Sequence, residues 1–256
     1  MFSECKRLKI VDHKLDIDCF ARINTDKKDI LSLEQLKVLF PHDKNKLAEI
    51  WSVEKGDRYI GIDGLVHPYG FMYGVMFRLM ASTELRPGEV RAICIDQIQD
   101  GGLFVNRMLD AYDNLCTYLK KRNEENKKQR TVLLPSEMTN LLDEYIAIRP
   151  KCEQGFLFSF NGLFISESRL AKRFKYGITK AGICSDGKHL SPHSLRFTYN
   201  TFTVNSNLLP GEVLRKMIGH SSQTMTDYYM RSDLKAELKG LQPYQKNIDE
   251  IWNNVN

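Results

Sequence analysis

One stretch of strand-forming sequence interrupts a chain whose remaining apolar pattern is helical. Residues 102–135 contain three runs of β-branched, aromatic and aliphatic residues, GLFVNRML, LCTYLKK and QRTVLLP. Polar turn residues at 110–114 and 122–128 separate these runs, which predicts a three-stranded antiparallel meander. We therefore expect an α+β fold that is mainly helical and contains one small three-stranded antiparallel sheet.

Helix signals flank this sheet on both sides. Ser32 can cap a helix with Glu34 and Gln35 in its first turn, and the apolar side of that helix is formed by Leu33, Leu36, Val38 and Leu39. Further helices are predicted over 45–53, 70–81, 136–148, 166–181, 192–204, 210–218 and 248–255, with a short helical stretch at 224–229.

Composition and charge exclude several classes of protein. Of the 256 residues, 42% are hydrophobic and 27% are charged, so wholesale disorder is excluded. The net charge of +5 permits a polyanionic partner without requiring one. The six cysteines form no CxxC pair, which argues against a zinc knuckle and favours reduced thiols. Since no signal peptide is evident and His67, Pro68 and Arg78 interrupt the most apolar stretch, we expect a cytoplasmic protein.

Two segments combine residue types that suit phosphate chemistry. Pro87 fits the first position of a helix and pushes Arg86 into an extended conformation, just ahead of backbone N–H groups that favour an anion. Glu89 can reach back to orient that arginine. His193 and Arg196 are three residues apart, so an imidazole and a cation share one helix face. Taken singly, each is more often an ordinary surface arginine or a capping histidine than part of a phosphate site.

The third segment, IGHSS at 218–222, places His220 after a helix-ending glycine, and Tyr229 follows nine residues later. The order TELRPGE, a hairpin lysine, HSLR, IGHSS and Tyr229 resembles the tyrosine recombinases, the phage integrase family. That family's pattern is T-x-L-R-x-x-E, a hairpin Lys, H-x-L-R, L-G-H-S-S and T-x-x-Y. Five ordered motifs over roughly residues 31–230 make the resemblance specific. Ile218 and Phe197 depart from the family's usual leucine and second histidine.

The resemblance implies a role for each matched residue. Arg86 and Arg196 would hold the non-bridging oxygens of a scissile DNA phosphate, because a guanidinium pairs two oxygens and keeps its charge. Tyr229 would be the nucleophile and His193 the general base that takes its proton. His220 would donate a hydrogen bond to the phosphate in the transition state.

Further residues would support this chemistry. Lys121, or alternatively Lys120, would protonate the departing 5′ oxygen, and Glu89 would orient the arginines. The products would be a 3′-phosphotyrosyl link and a free 5′ hydroxyl. Because that link retains the phosphodiester energy, neither ATP nor a metal ion nor any other cofactor is expected. The basic hairpin loop would contact double-stranded DNA through Arg122, Lys127, Lys128 and Arg130.

The resemblance also implies a domain organisation. Residues 1–28 would be the remnant of an upstream core-binding domain with its connector, 29–230 the catalytic domain, and 231–256 a C-terminal tail with a helix. Ile248, Ile251 and Trp252 could anchor that helix on a neighbouring copy or on its own chain. A homo-oligomer on DNA, a tetramer, is expected, with a monomer in solution allowed.

Three other functions remain open at this stage. A type IB topoisomerase cleaves and religates strands with a similar constellation. A decayed or regulatory relative would bind DNA without catalysis, and a histidine-based phosphoesterase would not need Tyr229. The intact motif set favours a recombinase of a phage or other mobile element, bound in the cell to bacterial nucleoid DNA.

Overall fold

The computed structural model describes residues 29–53, 56–99, 101–117, 119, 129–183, 187–206 and 241–253. Helices α1 to α8 span Leu33–Leu39, Lys44–Trp51, Tyr69–Ala81, Pro87–Arg91, Ser136–Ile148, Glu167–Lys180, Pro192–Ser206 and Gln245–Asn253. Strands β1 to β9 span Arg58–Ile60, Val66–Pro68, Ile98–Gln99, Gly102–Val105, Met108–Leu109, Leu115–Cys116, Arg130–Leu133, Ser159–Phe160 and Leu163–Phe164. The predicted α+β architecture, mainly helical with one small three-stranded antiparallel sheet, is confirmed.

Helix α3 is the centre of the core. All of its residues are buried, and it packs against α2, α5 and α7. A helix that is apolar on every side is stable in water only when other elements surround it. No helix in the described part of the chain is long and apolar enough to cross a membrane.

Trp51, the last residue of α2, links α3 to α6. Its ring lies 4.5 Å from that of Phe77 on α3 and 6.2 Å from that of Phe174 on α6, measured between centroids. Gly177 allows α6 to lie close to the Trp51 ring, because a Cβ atom at this position would lie 2.3 Å from that ring. The indole Nε1 donates a hydrogen bond to Leu39 O at 3.1 Å, so the buried ring also fixes the end of α1.

The three-stranded sheet contains different strands from those predicted. Strand β4 pairs directly with β7, and the third strand is β3. Of the predicted middle run, 115–121, the described residues contribute β6, which forms a separate hairpin with β5. The first run breaks at Asn106, whose side chain accepts a hydrogen bond from the Gln97 amide at 2.9 Å. Strand β4 therefore ends at Val105, and the edge of β4 pairs with β7.

Most of the predicted helices are confirmed. The bounds of α2, α3, α5, α6 and α7 agree with the predictions to within two residues. The Ser32 cap is also present, since Ser32 Oγ accepts from Gln35 N and Gln35 Oε1 accepts from Ser32 N. The prediction that Val38 lies on the apolar side of α1 is wrong. The side of the helix that packs on the core carries Leu36 and Leu39, and Val38 is 49% exposed.

The C-terminal helix α8 packs on its own chain in this structure. Ile248 and Trp252 are buried, and Trp252 belongs to the main core. Asp249 accepts hydrogen bonds from the backbone N–H and hydroxyl of Ser136, both at 3.1 Å, at the start of α5. The segment 1–28, the predicted helix 210–218, the stretch 224–229 and the side chain of Ile251 lie outside the described residues.

Candidate functional site

Arg86 lies where its motif predicts, immediately before helix α4. Its backbone is extended, with φ −79° and ψ 152°, and Pro87 opens the helix. Glu89 turns back onto it: its carboxylate accepts from Arg86 N at 2.8 Å and from Arg86 Nη1 at 3.0 Å. Since Glu89 is buried while the Arg86 side chain is 26% exposed, the carboxylate orients a guanidinium that still reaches solvent.

Arg196 and His193 lie on helix α7, one turn apart, as their spacing predicts. Arg196 is buried, and its Nη1 lies 3.6 Å from Glu84 Oε2. His193 is half-buried, with its ring 5.7 Å from that of Phe197. Helix α7 packs against the central helix α3, whose C-terminal end leads directly into the segment that holds Glu84 and Arg86.

Arg130 joins the arginines and glutamates just described into one cluster, whose members are Arg86, Arg130, Arg196, Glu84 and Glu89. It is the first residue of β7, paired with Val105 of β4, and its guanidinium forms ion pairs with both Glu84 and Glu89. The Nη2 to Glu89 Oε2 distance is 2.7 Å, and the side chain is 12% exposed. The sequence predicts Arg130 on the loop that contacts DNA and gives no motif position to Glu84. The available signal was a glutamate three residues after the end of the mainly apolar helix α3.

The cluster carries an excess of positive charge. Three guanidiniums, Arg86, Arg130 and Arg196, face two carboxylates, Glu84 and Glu89, which leaves a net charge of +1. Burial lowers the pKa of Arg196 to about 10, and the nearby charge of Arg86 lowers it as well. Burial and the charge of Arg196 lower the pKa of Arg130 to about 9. Both groups remain cationic at neutral pH, so the cluster is suited to an anion.

Arg91 connects the cluster to the β5–β6 hairpin. It is the last residue of α4 and is fully buried, where it forms an ion pair with Asp113 at the hairpin turn. It also donates to Asp110 O at 3.1 Å and to Ile165 O at 3.2 Å, just before α6. The hairpin that precedes the lysine-rich segment 120–128 is therefore fixed to the same short helix that follows Arg86. No sequence motif indicated this contact.

Several predicted site residues lie outside the described part of the chain: Lys120, Lys121, Arg122, Lys127, Lys128, His220 and Tyr229. The structure brings Arg86, Glu89, Arg130 and Arg196 together and places His193 one turn before Arg196. The proposed roles of all these residues stay predictions. In the described residues, no three His, Cys, Asp or Glu side chains form a group that could hold a metal ion.

Solved structures share this fold. The Tn1549 transposon integrase in complex with a circular intermediate DNA matches with a TM-score of 0.56 and 16% identity, over 94% of this chain and 75% of that one. A lambda integrase dimer bound to a core site matches with a TM-score of 0.54 and 13% identity, over 91% of this chain and 71% of that one. At these identities the likeness concerns the fold alone.

Sequence comparison identifies the family. The tyrosine recombinase XerC of Neisseria gonorrhoeae is 25% identical over 160 residues, which are 62% of this chain and 46% of XerC. The chain thus spans about half the length of the curated relatives that it matches. The model of the phage integrase family matches residues 66–235, well over half of the chain. The chain therefore belongs to the phage integrase family.

Proposed function

We propose that this chain carries the catalytic domain of a site-specific DNA recombinase, or integrase, that cleaves and rejoins DNA strands through a 3′-phosphotyrosyl intermediate. Family membership supports this function, as does the likeness to XerC. The observation that carries the proposal is that Arg86 and Arg196 come from distant parts of the chain and lie in one cluster with excess positive charge. In this proposal, residues 29–230 form the catalytic domain, between the remnant of a core-binding domain and a C-terminal tail.

The first step is the binding of the scissile phosphate. Arg86 and Arg196 hold its two non-bridging oxygens, and Glu89 fixes Arg86 by accepting one hydrogen bond from its backbone N–H and one from its guanidinium Nη1. The arginines therefore need little reorganisation when charge builds on the phosphorus centre, which is the main source of electrostatic catalysis. In the transition state, His220 adds a further hydrogen bond to the phosphate.

The second step is the transfer of the phosphoryl group. The Tyr229 hydroxyl loses its proton to His193, and its oxygen forms a bond to phosphorus while the bond from phosphorus to the 5′ oxygen breaks. Lys121, with Lys120 as the alternative, gives a proton to that departing oxygen. A 5′ hydroxyl of the same or another strand then gives its proton to the lysine and bonds to phosphorus, while the bond from phosphorus to the Tyr229 oxygen breaks and that oxygen takes its proton back from His193.

The duplex is bound through its phosphates. We assign that contact to the lysine-rich segment before β7, through Arg122, Lys127 and Lys128. Strand exchange requires several active sites on one DNA assembly, so a tetramer on DNA follows from the proposal. The protein then acts in the cytoplasm of a bacterium, on nucleoid DNA, for a phage or other mobile element.

The test uses nicked duplexes taken from the ends of the DNA element that encodes the chain. The nick lets the short cleaved end diffuse away, so covalent protein–DNA complexes accumulate and are counted on a denaturing gel. Wild type is expected to form the complex and Tyr229→Phe to lose it completely. Tyr112→Phe is the matched control, because Tyr112 is 87% exposed at the tip of the β5–β6 hairpin.

Other outcomes contradict the proposal in different ways. A complex that persists in Tyr229→Phe overturns the nucleophile assignment. DNA binding by wild type without any complex indicates a binding module that lacks catalysis. Relaxation of a supercoiled plasmid that lacks these ends, without strand exchange, indicates a type IB topoisomerase.

A further inference from the structure

Arg130 joins the two halves of the arginine cluster. Glu89 pairs with both Arg86 and Arg130, and Glu84 pairs with both Arg130 and Arg196. The contacts therefore run in one path from Arg86 through Glu89, Arg130 and Glu84 to Arg196. Arg130 is the middle member of that path, and each of its terminal nitrogens faces a different carboxylate.

We propose that Arg130 is a positioning residue, which sets the geometry of Arg86 and Arg196 through Glu89 and Glu84, rather than a residue that contacts DNA. This inference rests on the proposed function, since the two positioned arginines are the ones assigned to the scissile phosphate. It also gives Glu84, which occupies a variable position of the T-x-L-R-x-x-E motif, a defined part in the site.

Backbone and burial both support this role. Arg130 pairs with Val105 in the three-stranded sheet, so its Cα position is fixed by β4. Its side chain is 12% exposed, against 26% for Arg86. A guanidinium turned inward onto two buried carboxylates presents little surface to a DNA backbone, whereas Arg86 remains accessible.

The charge balance supports it as well. With Arg130 present, the two carboxylates are shared among three guanidiniums, and Arg86 and Arg196 keep positive charge for an anion. Without it, two carboxylates neutralise two arginines, and the cluster's charge falls from +1 to zero. Glu84 and Glu89 would then draw Arg86 and Arg196 away from the phosphate.

The role requires the shape of arginine and not its charge alone. A planar fork can face two carboxylates at once, whereas a lysine ammonium is a single point charge. A phosphate contact, by contrast, is served by either side chain. The substitution Arg130→Lys therefore separates a positioning residue from a DNA contact.

The experiment measures single-turnover cleavage of the nicked duplex at saturating protein, together with DNA affinity at several salt concentrations. Arg130→Lys is expected to lower the cleavage rate by a factor on the order of 100, the effect of a displacement of about 1 Å at a reacting centre. DNA affinity and its salt dependence should not change. Arg149→Lys is the control, because Arg149 caps α5 through the Ile146 carbonyl.

A variant of Glu84, which pairs with Arg130, tests whether the path of contacts to Arg196 is needed. Glu84→Gln should slow cleavage as Arg130→Lys does, although the buried Glu84 cannot reach DNA. The double variant should be no slower than the slower single variant, because both changes break the same connection. Circular dichroism checks folding, and if Arg130→Lys does not fold, Arg130→Gln combined with Glu84→Gln removes both charges together and takes its place.

Two results would overturn the inference. One is cleavage by Arg130→Lys within about threefold of wild type. The other is an Arg130→Gln variant whose loss disappears at saturating protein and whose salt slope falls by about 1, which identifies a phosphate contact.

Failure of the proposed function is distinguished by a measurement that needs no catalysis. If wild type forms no covalent complex, the inference is tested by measuring the affinity for inorganic phosphate by calorimetry. Arg86→Lys is the reference variant that is expected to lose the phosphate site. Arg130→Lys should bind phosphate at least about tenfold more weakly than wild type, a loss of about 1.4 kcal/mol. Equal affinity in the two proteins, or no phosphate binding by wild type, would reject it.

Discussion

Replacing Glu89 by glutamine should destabilise the protein far more than an ordinary surface substitution. Glu89 accepts from Arg86 N at 2.8 Å, from Arg86 Nη1 at 3.0 Å and from Arg130 Nη2 at 2.7 Å, and it is 1% exposed. Hydrogen bonds to charged groups contribute about 1.5–3 kcal/mol each. Glutamine keeps one acceptor oxygen but turns an NH₂ group toward a guanidinium, so at least one such bond is lost.

The loss of charge adds to the loss of the hydrogen bond. Removing one partner of a buried ion pair costs about 3–5 kcal/mol, because the remaining charge stays buried without compensation. We therefore expect Glu89→Gln to lower the free energy of unfolding by about 3–5 kcal/mol, which does not exceed the total of about 5–15 kcal/mol typical of folded proteins. The variant should still fold, with cleavage slowed because Arg86 is no longer held.

Urea denaturation followed by circular dichroism measures the effect. Glu144→Gln is the control, since Glu144 pairs with Lys44 on the surface with both side chains about half exposed. Such a pair contributes about 0–1 kcal/mol. If Glu89→Gln and Glu144→Gln lower the free energy of unfolding equally, the argument that Glu89 is a buried organiser of the arginines is refuted.

Two further predictions concern the support of the site. Gly177→Ala should lower the free energy of unfolding by about 1–3 kcal/mol, because the new Cβ would lie 2.3 Å from the buried Trp51 ring. Gly56→Ala, which meets no atom within 4 Å, is its control in the same urea titration, and equal values would contradict the packing argument. Arg91→Met should raise amide hydrogen exchange at 108–116, because it frees the hairpin from α4. Unchanged exchange there would show that other contacts hold the hairpin.

Local signals in the sequence were sufficient for the elements that carry the site. A capping serine, a proline at the first helical position and helical spacing placed α1, α4 and α7, and with them Arg86 and Arg196. The contact from Glu89 to Arg86 also follows from a three-residue spacing across a helix start. These features depend on neighbours within one or two turns, which a sequence pattern records.

Features that depend on distant neighbours could not be predicted in the same way. The pairing of β4 with β7 skips the intervening hairpin, and β3 consists of two residues, too few for a strand pattern. The ion pairs of Glu84 with Arg130 and Arg196 join three separate segments. Charged residues are usually exposed, so sequence reasoning assigned Arg130 to the DNA-facing loop, whereas the structure directs its side chain inward.

The most direct test of the account is to identify the residue that becomes attached to DNA. Wild type is trapped on the nicked duplex, the complex is digested with protease and nuclease, and the peptides are sequenced by mass spectrometry. The account predicts a nucleotide joined through its 3′ phosphate to Tyr229. An adduct on any other residue, or a 5′-phosphate linkage, would contradict it.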